Sequence, residues 1–302
     1  MNKVLVLGLT GMLGSMVVSY ISSNKNIQVY ASSREKEYKF HKYPIKRIYR
    51  FDASRNVSNR LKDIIDDCHP DYIINCIGII KPYCRDDDMD GVFKAININA
   101  RFPHILINII KSINKNIRVI QIATDCVYDG AKGDYKESDS HTATDVYGKS
   151  KSLGEVVDDN ILNIRCSIVG PELYNKLSLL EWFLSNKDDE VINGYDHHIW
   201  NGVTTLQFAK LCEYIISNNN FNTLRELNHT LHYVINQTVT KYHLLKIFNN
   251  VYNRKVNIKK VNNIGPKIDR TLSTIYYYQD VSPMENAVTE LRQYCINNNL
   301  FN

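Results

Sequence analysis

The amino-acid sequence predicts an α/β protein: a doubly wound parallel sheet followed by a smaller C-terminal α/β substrate lobe. Three observations carry this. Short apolar runs alternate with helical patterns from residue 1 to about 166, the rhythm of parallel strands joined by crossover helices. A glycine-spaced turn, Gly8-Leu9-Thr10-Gly11-Met12-Leu13-Gly14, lies at the first strand–helix junction. After residue 166 the rhythm changes, and strand-like pieces mix irregularly with helices. A chain of 302 residues is long enough for two lobes. The expected division puts 1–166 in the first, with 200–218 returning to it, and 167–199 with 219–302 in the second.

Val4-Leu5-Val6-Leu7 reads as a buried parallel strand. The turn after it has the spacing Gly-x-x-Gly-x-x-Gly, a variant of the dinucleotide fingerprint. Glycines there let the backbone turn tightly and approach a pyrophosphate at a helix N-terminus. Ile27-Gln28-Val29-Tyr30 is the second strand. An acidic residue commonly follows to hold ribose hydroxyls, but this chain gives Ser32-Ser33-Arg34. That trio suits a 2′-phosphate and favours NADPH, with NADH possible; the bland alternative is a solvated loop arginine. A third strand, 47–52, ends at Asp52, where an adenine edge could be read. Residues 56–67 form an amphipathic helix. Tyr72 to Gly78 is a fourth strand, and Asn75, Cys76, Ile77 and Gly78 are expected to line the cofactor trough.

The run Asp86-Asp87-Asp88-x-Asp90 reads as a solvated face. A helix through 95–110 and a fifth strand over 118–123 follow, and Thr124-Asp125-Cys126 leaves that strand's end. Beyond a polar loop, Tyr147 and Lys151 stand one helical turn apart on one face. An ammonium beside a phenol favours the phenolate and would lower its pKa, making Tyr147 a proton donor to a carbonyl. With 20 tyrosines in the chain, that pair alone reads as an ordinary amphipathic helix; the glycine turn and Thr124-Asp125 tip the reading toward chemistry. Residues 162–165 are the sixth strand. Helices are expected over 177–184, 204–216, 240–252 and 284–297, and extended pieces over 191–200, 231–235 and 256–261.

Composition narrows the class. The chain is 44% hydrophobic and 23% charged, with a formal charge of +5 and no basic block, which gives no footing for nucleic-acid binding. Seven scattered cysteines without a Cys-x-x-Cys suit reduced thiols. The N-terminal apolar run is broken by glycines at regular spacing and has no small-residue cleavage site, so it does not read as a signal peptide. No run reaches the ~18 residues of a membrane span. The expectation is a soluble, cytoplasmic protein. His197 and His198 have no carboxylate or cysteine at ligand spacing, so no metal site is expected.

Taken together, Thr124, Tyr147, Lys151 and the Gly8/Gly11/Gly14 turn resemble the extended short-chain dehydrogenases, Rossmann-like enzymes. Within them, Ala-Thr-Asp-Cys-Val-Tyr-Asp-Gly (123–130), Glu137-Ser138-Asp139 and Tyr-Gly-Lys-Ser-Lys-Ser-Leu-Gly-Glu (147–155) resemble the dTDP-4-dehydrorhamnose reductase family. Asn99 to Pro103 and Ile164 to Gly170 agree. Departures are Ala123, where many relatives have serine, and Trp200-Asn201-Gly202-Val203-Thr204, where rhamnose-forming members carry Gly-x-Pro-Thr and touch substrate. Residues 75–81, 180–184 and 193–195 are similar to a subgroup that includes reductases of UDP-2-acetamido-2,6-dideoxy-hexos-4-uloses.

The resemblance implies reduction of the 4-keto group of a UDP- or dTDP-linked 6-deoxy sugar by NADPH. Tyr147 would give the proton, Lys151 would lower its pKa and hold the nicotinamide ribose, and Thr124 would bind the same oxygen. Asn99 would carry a water-borne proton path. Cys126, with Asp125 beside it and His197 or His198 as partner, could epimerise a carbon next to the ketone; the plain alternative is a buried cysteine. Trp200 and Asn201 would touch the sugar. A homodimer is possible. The rival readings are a 3-epimerase/4-reductase and a non-catalytic cofactor-binding subunit, since relatives include a regulatory partner of methionine adenosyltransferase.

Overall fold

The computed structural model describes residues 1–34, 43–113, 116–174, 176–262, 264–277 and 280–300. The first half supplies β1 (Asn2–Leu7), α1 (Met12–Ile21), β2 (Ile27–Ser33), β3 (Ile45–Arg50), α2 (Val57–Cys68), β4 (Tyr72–Asn75), α3 (Met89–Ala95), α4 (Phe102–Ser112), β5 (Arg118–Thr124), α5 (Val146–Leu153) and β6 (Ile161–Cys166). The second supplies β7 (Ile168–Val169), α6 (Leu179–Ser185), β8 (Val191–Tyr195), β9 (His198–Trp200), β10 (Val203–Thr204), α7 (Thr205–Ser217), α8 (Phe221–Leu227) and β11 (Thr230–His232). Then come β12 (Val239–Thr240), α9 (Lys241–Val251), β13 (Asn257–Val261), β14 (Ile268–Asp269) and α10 (Met284–Asn297).

Seven strands form one parallel sheet in the order β11-β6-β5-β4-β1-β2-β3. Strand order reverses between β1 and β4, so the loops leaving those two strands diverge and open a crevice at their carboxyl ends. β1 shows why its residues are all apolar. Val4 and Val6 face a core shared with Met16 and Val17 of α1 and Leu206 and Phe208 of α7, whereas Leu5 and Leu7 face Leu61, Phe102 and Leu106 of α2 and α4. Alternation with period two sends successive side chains to opposite faces, and here both faces are covered.

The second half is not a separate body. α7 packs along α1, with Asn24 Nδ2 donating to Glu213 Oε1 at 2.7 Å, and Thr204 with Gln207 closes a capping box at its start. β11 pairs with β6, so the main sheet takes a strand from beyond residue 219, across the boundary expected from sequence. The segment 191–200 divides at a turn: β8 pairs with β13, while β9 joins β12 and β14. The helix expected through 95–110 is interrupted by a π turn over Ile96–Arg101 between α3 and α4.

The acidic run is more than a solvated face. Asp88 caps α3 by accepting from the Asp90 amide, and Asp86 accepts from the Val146 amide at 2.8 Å. No helix among the described residues is long and apolar enough to cross a membrane.

Candidate active site

The glycine turn is a tight ledge. Gly8 has φ +90, and a Cβ on Gly14 would lie 2.1 Å from the Gly8 carbonyl oxygen, so the helix packs onto the turn only with glycine there. The amide of Gly8 donates to Ser32 Oγ at 3.3 Å and that of Leu9 to the Ser32 carbonyl at 2.9 Å, tying the ledge to β2. Gly11 stands at the N-cap of α1 with no side chain capping the helix, which leaves the first amides for a ligand. Leu13 turns into the core, while Thr10 and Met12 stay half-buried at the rim. A pyrophosphate fits these groups.

Past β2, Ser33 is buried and Arg34 is exposed. Asp52 accepts from the amide and hydroxyl of Ser54 at 2.9 and 2.7 Å. Its partial burial would raise the carboxyl, but those bonds and the charges of Arg34 and Arg55 hold it below the usual range. Arg55, not singled out from sequence, therefore shares that corner with Arg34 and Asp52.

Behind the ledge, Asn75 is fully buried and bridges β4 to β5, its Nδ2 donating to Gln121 Oε1 at 2.7 Å while its Oδ1 receives the Ile77 amide at 3.1 Å. The Ile77 side chain lies under Gly8, 3.1 Å from where a Cβ would be. Burial pushes the Cys76 thiol well up, so it is a packing group. Asn99, inside the π turn, grips the loop after β4: Oδ1 accepts from the Ile79 amide at 2.8 Å, and Nδ2 donates to the Ile79 carbonyl at 3.0 Å and to Ser150 Oγ at 3.2 Å. With both amide protons and the oxygen engaged, and the side chain buried beneath Gly78, the Asn99 side chain clamps the loop after β4.

The chemistry gathers where β5 ends. Thr124 caps the turn Asp125–Val127 by accepting from the Cys126 amide at 3.2 Å, and its hydroxyl donates to buried Asp125 Oδ1 at 3.2 Å. α5 lies against this turn so closely that a Cβ on Gly148 would fall 2.3 Å from the Cys126 carbonyl oxygen. That contact brings Tyr147 to Thr124. Burial pushes the phenol well above its ordinary value, Cys126 and Asp125 add to the rise, and the neighbouring Thr124 hydroxyl opposes it. Tyr147 therefore stays protonated at neutral pH, as a proton donor must.

Lys151 differs from the sequence expectation. It is buried, and Nζ donates to the Ile122 carbonyl of β5 at 2.8 Å. Burial lowers this ammonium to about 8, against the pull of Glu155 and Cys166. Burial and its acidic neighbours raise the phenol, while Lys151 is held by the strand carbonyl.

Lys81 is a second residue missed from sequence. Nζ bonds Asp145 Oδ2 at 2.6 Å and lies 5.8 Å from the centre of the Tyr147 ring. Asp145 also caps α5 through the Gly148 amide at 2.7 Å. Between the tyrosine and the 81–87 segment lies a cavity of about 350 Å³. Burial with Asp125 nearby raises the Cys126 thiol to about 12, so it rests protonated, a poor base.

Of the second-lobe residues, Trp200 is buried with Lys241 Nζ 4.8 Å from its ring centre. His198 stacks on Tyr195 at 4.9 Å, and His197 Nε2 donates to the Ile264 carbonyl at 3.0 Å. Asn201 does not reach outward: buried, it exchanges hydrogen bonds with the Leu272 backbone at 2.8 and 3.0 Å. Arg270, also missed, donates from Nε to the Tyr128 carbonyl at 2.8 Å.

The profile of the RmlD substrate binding domain matches residues 1–268. Methionine adenosyltransferase 2 subunit beta of Bos taurus is 27% identical over 183 residues, 60% of this chain and 49% of that protein. dTDP-4-dehydrorhamnose reductase of Aggregatibacter actinomycetemcomitans is 37% identical over 94 residues, 30% of either chain. The chain thus spans about half the length, or less, of these curated relatives. The solved dTDP-4-dehydrorhamnose reductase of Bacillus anthracis, in complex with NADP, shares the fold with TM-score 0.73 at 17% identity, over 98% of this chain and 99% of that one. The profile match runs through both lobes, from the glycine ledge to β14, and the chain belongs to the RmlD substrate binding domain family.

Proposed function

We propose that this chain is an NADPH-dependent reductase of a UDP- or dTDP-linked 6-deoxy-hexos-4-ulose. The single observation that carries the reading is the packing of α5 onto the turn that Thr124 caps, which sets Tyr147 beside Thr124 at the carboxyl edge that also bears the glycine ledge. Bound NADPH supplies the hydride that reduces the sugar C4. Tyr147 gives its proton to the ketone oxygen, and Thr124 steadies that oxygen as charge builds on it. Lys151 stays a cation on the Ile122 carbonyl until a ribose offers it oxygens, and the α1 amides hold the pyrophosphate. Arg34 with Arg55 takes a 2′-phosphate, which is the basis for preferring NADPH over NADH.

In its finer form the proposal names a UDP-2-acetamido-2,6-dideoxy-L-hexos-4-ulose, giving an N-acetyl-L-rhamnosamine-type product, and extends to a cytoplasmic homodimer. Epimerisation at Cys126 finds no support in a thiol raised to about 12. One observation favours a second reading, a non-catalytic cofactor-binding subunit: the similarity to methionine adenosyltransferase 2 subunit beta.

The test is NADPH oxidation by the purified chain against a panel of UDP- and dTDP-4-keto-6-deoxy sugars, with products identified by NMR. Turnover of one class supports reduction. NADPH binding without turnover of any member selects the subunit reading.

A further inference from the structure

The segment after β4 is tied down at three points, and two of them lie on the first turn of α5. At its start, Asn99 grips both backbone groups of Ile79. Further on, Lys81 Nζ crosses to Asp145 Oδ2 at 2.6 Å, and Asp86 Oδ1 accepts from the Val146 amide at 2.8 Å. The other oxygen of Asp145, Oδ1, accepts from the Gly148 amide at 2.7 Å. Both residues that flank Tyr147 in the chain thus give their amides to carboxylates, and Lys81 holds one of those carboxylates. The Lys81 ammonium also lies 5.8 Å from the centre of the Tyr147 ring, and both residues line the same cavity.

The amides of a first helical turn have no partner inside the helix, and α5 is only eight residues long, so its start depends on these side chains. Asp145 divides its two oxygens between two tasks, capping the helix and meeting Lys81. The ion pair is half exposed, with side chains 44% and 35% accessible, and such pairs contribute little to folding. What the pair does fix is the direction of the capping carboxylate. We propose that Lys81 is a positioning residue for the proton transfer: through Asp145 it orients the first turn of α5, and with it the Tyr147 phenol. This rests on the reductase reading above and adds to it a residue of the loop after β4. Because the phenol must meet the ketone oxygen closely, a small misplacement is paid in rate. The loss of Lys81 should therefore fall on kcat and not on KM.

The experiment compares the wild-type chain with Lys81→Met, Lys81→Arg, Asp145→Asn and the Lys81→Met, Asp145→Asn double variant. Steady-state NADPH oxidation is read on the sugar nucleotide that the wild type reduces, and amide hydrogen exchange is followed at Val146 and Gly148. Asp145→Asn keeps an oxygen for the Gly148 amide and removes the charge. Lys81→Met should lower kcat about 10-fold, within the range of a small misplacement, and speed exchange at both amides. NADPH affinity and melting temperature should stay as in the wild type. Lys81→Arg should restore most of kcat, and in the Asp145→Asn background Lys81→Met should cost no further rate. Wild-type kcat in Lys81→Met, a loss confined to KM, or additive losses in the double variant overturns the assignment while leaving the reductase reading intact. Absence of wild-type turnover on every sugar of the panel overturns the reductase reading, and the positioning role with it.

Discussion

Two cationic clusters lie within reach of the same turn and are built on opposite plans. Arg165 on β6 is almost wholly enclosed and every nitrogen is engaged. Nε and Nη2 hold Glu155 at 3.0 and 2.5 Å, Nη1 donates to Tyr128 Oη at 2.7 Å and His232 Nε2 at 2.6 Å, and Nη2 also donates to His141 Nε2 at 2.8 Å. His232 Nδ1 donates to the Ser273 carbonyl at 2.7 Å, which fixes its neutral tautomer. This network joins β6 and β11 to the loop after β5, the end of α5 and the 273 segment. Lys241 and Arg270, by contrast, are only half-buried: the Lys241 ammonium rests on the Trp200 ring, and Arg270 gives Nε to the Tyr128 carbonyl. A buried charge whose bonds are complete holds the fold, and a half-buried one can be changed at less cost. Glu155 shows why the first plan is tolerated: it meets the guanidinium with both oxygens, the bidentate geometry that repays desolvation.

That division can be broken or sharpened by substitution. The largest effect should come from a group that works and does not hold: Tyr147→Phe should cut turnover by about 10²- to 10⁴-fold with unchanged melting temperature and NADPH affinity, read by steady-state NADPH oxidation and calorimetry. Arg165→Met should do the reverse, losing about 3–5 kcal/mol of stability because Glu155 is left buried and uncompensated; denaturant melts measure it. Lys241→Met, which strands no carboxylate, should not destabilise, and a similar loss in both variants would erase the contrast.

A subtler effect concerns pH. Burial and the Arg165 charge lower His232 to about 4, below the ~6.5 of a free imidazole. Folding therefore favours its neutral form. That stabilisation is complete above pH ~6.5 and is lost as pH falls toward 4, so the denaturant midpoint should drop between those values, with a flatter slope in His232→Gln. The smallest effect is expected at the cofactor's ribose. Arg34→Ala, with Arg55 still near Asp52, should reduce the NADPH-over-NADH preference by about tenfold or less, read as a ratio of kcat/KM values.

Much of this architecture is legible in the sequence. β1, β2, β4, β5 and β6 follow from apolar runs with covered faces, and the glycine ledge from its spacing, since a turn that tight admits few sequences. Tyr147 and Thr124 can be paired because each sits at a recognisable local break. What escapes is long-range. Nothing near residue 241 or 270 in the chain indicates that both approach Cys126, and His141 and His232 read as scattered histidines until Arg165 gathers them. Spacing assigns Lys151 to the phenol because it reports which face of a helix a side chain leaves from, not which carbonyl it meets. The grip of Asn99 escapes for the same reason; its three bonds to Ile79 and Ser150 depend on a backbone deviation that no periodicity reveals.

That deviation bears on how the chain tolerates a change of length. A π turn accommodates one residue more than the α-helix around it. Deleting a single residue between 96 and 98 should let Ile96–Arg101 rewind as α-helix while α4 keeps its seat on the sheet. Such a shortened chain should retain its circular dichroism and cooperative melting yet lose turnover, because the loop bearing Lys81 would no longer be anchored.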